Sequence, residues 1–136
     1  MALQTFETYH VTLAAMTLAA LLLVVQLIIA DLTAIRSRHK AGYPIPADSK
    51  TFLFRSARAH TNTNESISAF VLLATVGVLS SAPPGALGFL SMSWVICRLA
   101  HMGFYYANRK SWRSLSFAAS LLVLVAMFAV VGKSWL

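Results

Sequence analysis

Arg55-Ser56-Ala57-Arg58-Ala59-His60-Thr61-Asn62-Thr63-Asn64-Glu65 runs directly into Ser66-Ile67-Ser68-Ala69-Phe70 and then, as far as Leu79, into a strongly apolar stretch. The reading of this junction decides the fold. No helix breaker separates the polar run from the apolar one, so a single helix over about residues 51–79 carries both. Only residues 67–79 are wholly free of charge. The first half of the helix then places two arginines, a histidine and a glutamate at or inside the edge of a membrane. Ionisable groups are costly there, and they mark a functional site by default.

The rest of the chain supports a membrane setting. Of its 136 residues, 58% are hydrophobic and 11% are charged, against about 25% charged in an ordinary soluble domain. Val11 to Ala30 is an uncharged run long enough to cross the hydrocarbon. It lacks the basic flank and cleavage site of a signal peptide. The turn segments Gly42-Tyr-Pro-Ile-Pro-Ala-Asp-Ser49 and Ser80-Ser-Ala-Pro-Pro-Gly85, with a short linker at Ala107-Asn-Arg-Lys110, punctuate the chain. The expected fold is an all-α integral membrane bundle of four transmembrane helices in one domain over residues 1–136. The helices fall at about residues 8–37, 51–79, 85–106 and 111–132, with Ser111 as the N-cap of the last. A lone Cys97 excludes a disulfide framework within one chain.

The net charge of +7 is distributed unevenly. Arg36, Arg38, Lys40, Lys50, Arg55, Arg58, Arg98, Arg109, Lys110 and Arg113 all fall at one end of this four-helix arrangement, and Lys133 alone at the other. The positive-inside rule puts the crowded end in the cytoplasm and both termini on the opposite side. Basic groups tied to membrane-spanning helices do not fit a nucleic-acid surface. Snorkelling to lipid phosphates accounts for Arg36, Arg38, Lys40, Lys50, Arg109 and Lys110.

At 100° per residue, Arg58, Asn62 and Glu65 stand within about 60° of one another, with Arg55 close to the same stripe and His60 on nearly the opposite side. His60 is expected to donate an interhelical hydrogen bond. Arg98, His101, Met102 and Tyr105 share a face of the third helix; Arg113, Phe117 and Ser120 share one of the fourth. The three stripes meet at the cytoplasmic end, where they can form a cationic pocket suited to an anionic ligand. The bland alternative is a structural ion-pair network, in which Arg55, Arg58 or Arg98 serves Glu65. For Tyr105 and Tyr106 it is a place in the interfacial aromatic belt. No histidine pair has metal-ligand spacing, so no metal is expected. No phosphate-cradling glycine loop or nucleophile elbow is present.

Arg55-x-x-Arg58-Ala-His60-x-Asn62-x-x-Glu65, Arg98-x-x-His101-x-x-x-Tyr105 and Arg113-Ser114, in a four-helix chain of this length, resemble the MAPEG family of membrane-associated proteins in eicosanoid and glutathione metabolism. The resemblance spans essentially the whole chain. It implies a homotrimer with glutathione sites at subunit interfaces near the cytoplasmic face, in a bacterial inner membrane or the endoplasmic reticulum. Arg36, Arg58, Asn62, Glu65, His101 and Tyr105 match glutathione-binding positions. Arg113 matches the arginine that stabilises the thiolate, with Ser114 as the alternative thiol contact. Arg55 and Arg98 would supply supporting ion pairs. The implied function is a membrane glutathione S-transferase that conjugates glutathione to lipophilic electrophiles, or a glutathione-dependent lipid peroxidase. Two positions depart from the family pattern: Thr61 replaces an arginine and Phe117 a tyrosine. Both remove donors, and so favour the alternative of a non-catalytic lipid-binding or scaffold protein. A small transporter is a remote third reading, because the charge clusters at one end only.

Overall fold

The computed structural model describes the backbone of residues 2–135 and the side chains of residues 4–135. Four helices follow one another: α1 (Ala2–Arg36), α2 (Phe52–Leu79), α3 (Pro84–Tyr106) and α4 (Lys110–Lys133). Three of them, α1, α3 and α4, are long and apolar enough to cross a membrane. The remaining helix, α2, does not qualify by composition, because its first half holds the polar run. It nevertheless packs against all three of the others, whereas α1 and α4 lie diagonally apart.

α1 begins about six residues before its expected start. No proline or glycine interrupts residues 2–35, so the helix continues through mixed polar sequence that hydropathy passes over. Its one irregularity is at Tyr9 (φ −109°, ψ 19°). The Tyr9 hydroxyl donates to the carbonyl of Ala82 at 2.7 Å and ties this bend to the α2–α3 turn. α2 starts where Thr51 caps it, with Oγ1 accepting from the amide of Phe54. Pro84 opens α3 at a position where its missing N–H costs nothing.

All three connections use the same device. Arg38, Ser81 and Asn108 adopt positive φ (51°, 56° and 55°). The following amides (His39, Ala82, Arg109) bond back to Ala34, Gly77 and Phe104. This is the Schellman pattern, built here without glycine. The α3–α4 turn is so tight that α4 restarts at Lys110, with Arg109 at the N-cap and no side-chain cap. The expected cap, Ser111, lies inside the first turn.

The bundle sets polar residues among an apolar core of Phe70, Leu87, Trp94, Leu124 and Met127, and its outer surface is apolar as well. Its buried faces carry Thr12, Gln26, Ser56, Thr63, Ser66, Ser91, Arg98, His101, Ser116 and Ser120, while Leu21, Ile28, Leu32, Phe89, Ile96, Leu122, Val125 and Phe128 face outward. An apolar exterior suits lipid, where apolar residues gain little by burial, and the small buried residues allow helices to approach. Gly88 shows how close they come. A Cβ there would lie 3.0 Å from the Cβ of Val11 on α1. Phe70 and Trp94 stack at 4.2 Å across the α2–α3 seam and close the core below the polar end.

Candidate functional site

Asn62 from α2, His101 and Tyr105 from α3, and Arg113, Ser114 and Phe117 from α4 line a cleft of about 220 Å³ at the basic end of the bundle. Five of these six are predicted site residues. The short α3–α4 turn brings the helices back to back, so Arg113 folds over the ring of Tyr105, its Cζ 4.6 Å from the centroid. Such a contact immobilises the guanidinium plane. Arg113 Nη1 is buried without a hydrogen-bond partner, leaving a cationic donor uncommitted. Ser114 Oγ donates to the carbonyl of Lys110 at 3.2 Å, so its proton is in use and its lone pairs remain. His101 is almost fully buried, edge-on to Tyr105 at 5.0 Å and tilted against Phe117 at 6.0 Å, with Nδ1 unpartnered.

The other expected site residues lie elsewhere in the protomer. α2 buries Ser56, Ala59, Thr63, Ser66, Phe70, Ala74 and Gly77. The centre of that face is turned about 100° from the stripe of Arg58, Asn62 and Glu65. The stripe therefore runs along the flank of the bundle. Asn62 reaches the cleft, Arg58 is half-buried beside it, and Glu65 is exposed. Among the described residues no arginine bonds Glu65. Arg36 is exposed at the end of α1, a helix that does not touch α4, and it does not line the cleft of its own chain.

The expected supporting ion pairs do not form. Arg55 Nη1 donates to the carbonyls of Ser49 (3.0 Å) and Lys50 (2.7 Å), fastening the α1–α2 loop to α2. Arg98 is wholly enclosed, and its acceptors are the neutral Asn62, Thr63 and Ser120. Met102 leaves the α3 stripe and faces a wholly apolar groove between α1 and α3, about 310 Å³, shared with Leu18, Leu22, Val25, Val95 and Leu99. The interhelical hydrogen bond expected of His60 is missing at Nδ1, which is buried and unpartnered. Tyr106 stands half-buried, edge-on to Phe52.

Sequence reasoning missed two residues. Thr63 accepts from Arg98, a pairing visible only once α2 and α3 are docked. Gln26, in the middle of α1, is fully buried with both amide atoms unpartnered. An amide inside an apolar run was the signal that could have found it.

Three helices of membrane-crossing length, polar residues turned inward and a cationic cleft at one end define an integral membrane helical bundle with a polar site near its edge. The chain belongs to the MAPEG family, whose sequence model matches residues 9–133. No curated protein matches the chain significantly.

Proposed function

We propose that this protein is a glutathione-dependent membrane transferase in which Arg113 holds the thiolate. The observation that carries this reading is the unpartnered, buried Nη1 of Arg113, in a cleft whose other walls are polar or aromatic. A thiol of pKa about 8.5 is only a few per cent ionised at pH 7. Lowering it by about two units needs roughly 2.7 kcal/mol of differential stabilisation, an amount one arginine in a partly dehydrated site can supply. Ser114 is the weaker candidate, since its hydrogen is already given to Lys110. The thiolate sulfur attacks an electrophilic carbon of a membrane-dissolved substrate. A carbon–sulfur bond forms, the leaving group departs with its electron pair, and the thiol proton has already passed to water. His101, Tyr105 and Asn62 would hold the tripeptide.

The cleft within one chain is smaller than the roughly 300–1,000 Å³ of ordinary ligand pockets. Arg58, Glu65 and Arg36 lie outside it, with Glu65 presented to the membrane flank. Both facts support a homotrimer in which these three residues complete each site across an interface. The ten basic residues at the site's end support a site in the cytoplasmic half, with both termini on the other side. The test is purified protein assayed with glutathione and a generic electrophile. Turnover accompanied by a rise in ultraviolet thiolate absorbance on glutathione binding is expected; neither signal in well-folded protein sinks the reading.

The apolar α1–α3 groove favours a second reading, a lipid-binding member of the family without thiol chemistry. Phe117 and Thr61, which offer fewer donors than the family pattern, point the same way. Calorimetric titration with glutathione separates the two: absence of both heat and stabilisation selects the lipid binder.

A further inference from the structure

Arg98 presents donors only. Its Nη2 donates to Asn62 Oδ1 at 3.2 Å and to Thr63 Oγ1 at 3.1 Å, and its Nη1 reaches Ser120 Oγ at 3.5 Å. The two hydroxyls have their own protons committed to backbone carbonyls, Thr63 to Ala59 and Ser120 to Phe117, so each can only accept from Arg98. Asn62 is the one partner free to turn over. An amide facing a donor-only group must present its oxygen, which sends its NH₂ the other way. Asn62 also lines the cleft with Arg113 and Tyr105.

We propose that Arg98 is a positioning residue that locks the Asn62 amide as a hydrogen-bond donor to an oxygen of the cleft ligand. The cleft is thereby biased toward carboxylate or carbonyl oxygens, because Asn62 cannot offer them its own carbonyl. Glutathione carries both kinds of oxygen, and the identity of that ligand rests on the transferase reading. The orientation itself does not. A buried guanidinium held by three neutral acceptors is an expensive way to join helices, and setting a neighbour's polarity is a use for it that a simple structural contact does not need.

The experiment combines glutathione titration with nitrogen-15 NMR of the asparagine side-chain amides in detergent-solubilised full-length protein. Asn62→Ala identifies the Asn62 signal. Arg98→Gln, which can donate or accept, should weaken glutathione binding about tenfold, the size expected for one hydrogen bond to a charged group. Arg98→Lys, still donor-only, should regain most of it. The Arg98→Gln/Asn62→Ala double variant should bind no worse than Asn62→Ala alone. If Arg98→Gln fails to fold, Asn62→Asp carries the test: its carboxylate can pair with Arg98 and keep the thermal midpoint, but it has no proton to donate and should bind at least tenfold more weakly. Wild-type affinity in Arg98→Gln or Asn62→Asp, or losses that multiply in the double variant, overturns the proposal. Should wild-type protein bind no glutathione, the transferase reading fails and the amide signal decides the orientation. A shift or splitting of the Asn62 resonance in Arg98→Gln upholds the lock; an unmoved resonance overturns it.

Discussion

The chemistry proposed here turns on one guanidinium, and its neighbours say how it should respond to change. Arg113 is held against Tyr105 and keeps a buried donor free. If it lowers the glutathione thiol by about two units, Arg113→Ala should cut the thiolate fraction at pH 7 roughly 25-fold. The sign follows from the acid: thiolate accumulates as pH rises through the thiol pKa. The acid limb of the rate profile should therefore move up by about two units in the variant, and the deficit should shrink above about pH 8.5. Ser114→Ala should change the rate less than about threefold, because a hydroxyl already bonded to Lys110 has only its lone pairs to lose. Phe117→Tyr restores a phenol beside His101 and should tighten glutathione binding by about threefold to tenfold; isothermal titration reads it. At this scale the sequence was informative about residue type. Arg113, Asn62, His101 and Tyr105 were found by spacing and resemblance. Partners were not legible: Arg98 was expected to meet a carboxylate and instead holds Asn62, Thr63 and Ser120. A donor's acceptor depends on which neighbouring helix face arrives opposite it.

Among the helices, apolar runs and breakers located the elements to within about six residues at the start of α1 and a residue or two elsewhere, but they could not fix their rotation. In α2 the most conspicuous stripe was polar, yet the small residues Ser56, Ala59, Thr63 and Ser66 took the inside. In lipid, close approach of backbones outweighs burial of the most distinctive side chains. Gly88 makes the same point for α1 and α3. Gly88→Ala would set a methyl 3.0 Å from the Cβ of Val11, an atom that cannot swing away. It should cost about 1–3 kcal/mol, seen as an earlier thermal or denaturant transition in micelles. Gly85→Ala meets no atom within 4 Å and should be neutral or stabilising by up to about 1 kcal/mol. Equal effects of the two substitutions would contradict the close α1–α3 crossing. Hydropathy saw only that both glycines lie near the start of an apolar helix.

Orientation and assembly are properties of the whole molecule. Ten basic residues at one end predict that a cysteine placed in the α1–α2 loop (Ala47→Cys, in a Cys97→Ser background) is labelled from the cytoplasmic side only. Labelling from the opposite side would invert the topology. A trimer covering Glu65 predicts a three-chain mass by native mass spectrometry, and a Glu65→Arg variant that falls to smaller species because three like charges meet Arg58. A persistently single-chain mass in active protein would instead require a complete site within one bundle. The amino-acid sequence by itself determined the membrane class, the helix count, the sequence family and most of the residue types at the site. Those follow from local quantities: hydropathy over a span, breakers at turns, and a motif at helical spacing. The tertiary structure alone decided which of those residues converge. α1 and α4 lie on opposite diagonals, so Arg36 is parted from Arg113; α2 is rotated, so Glu65 faces outward while Asn62 enters the cleft. Those outcomes depend on how four helix surfaces share one interior, a property no single segment carries.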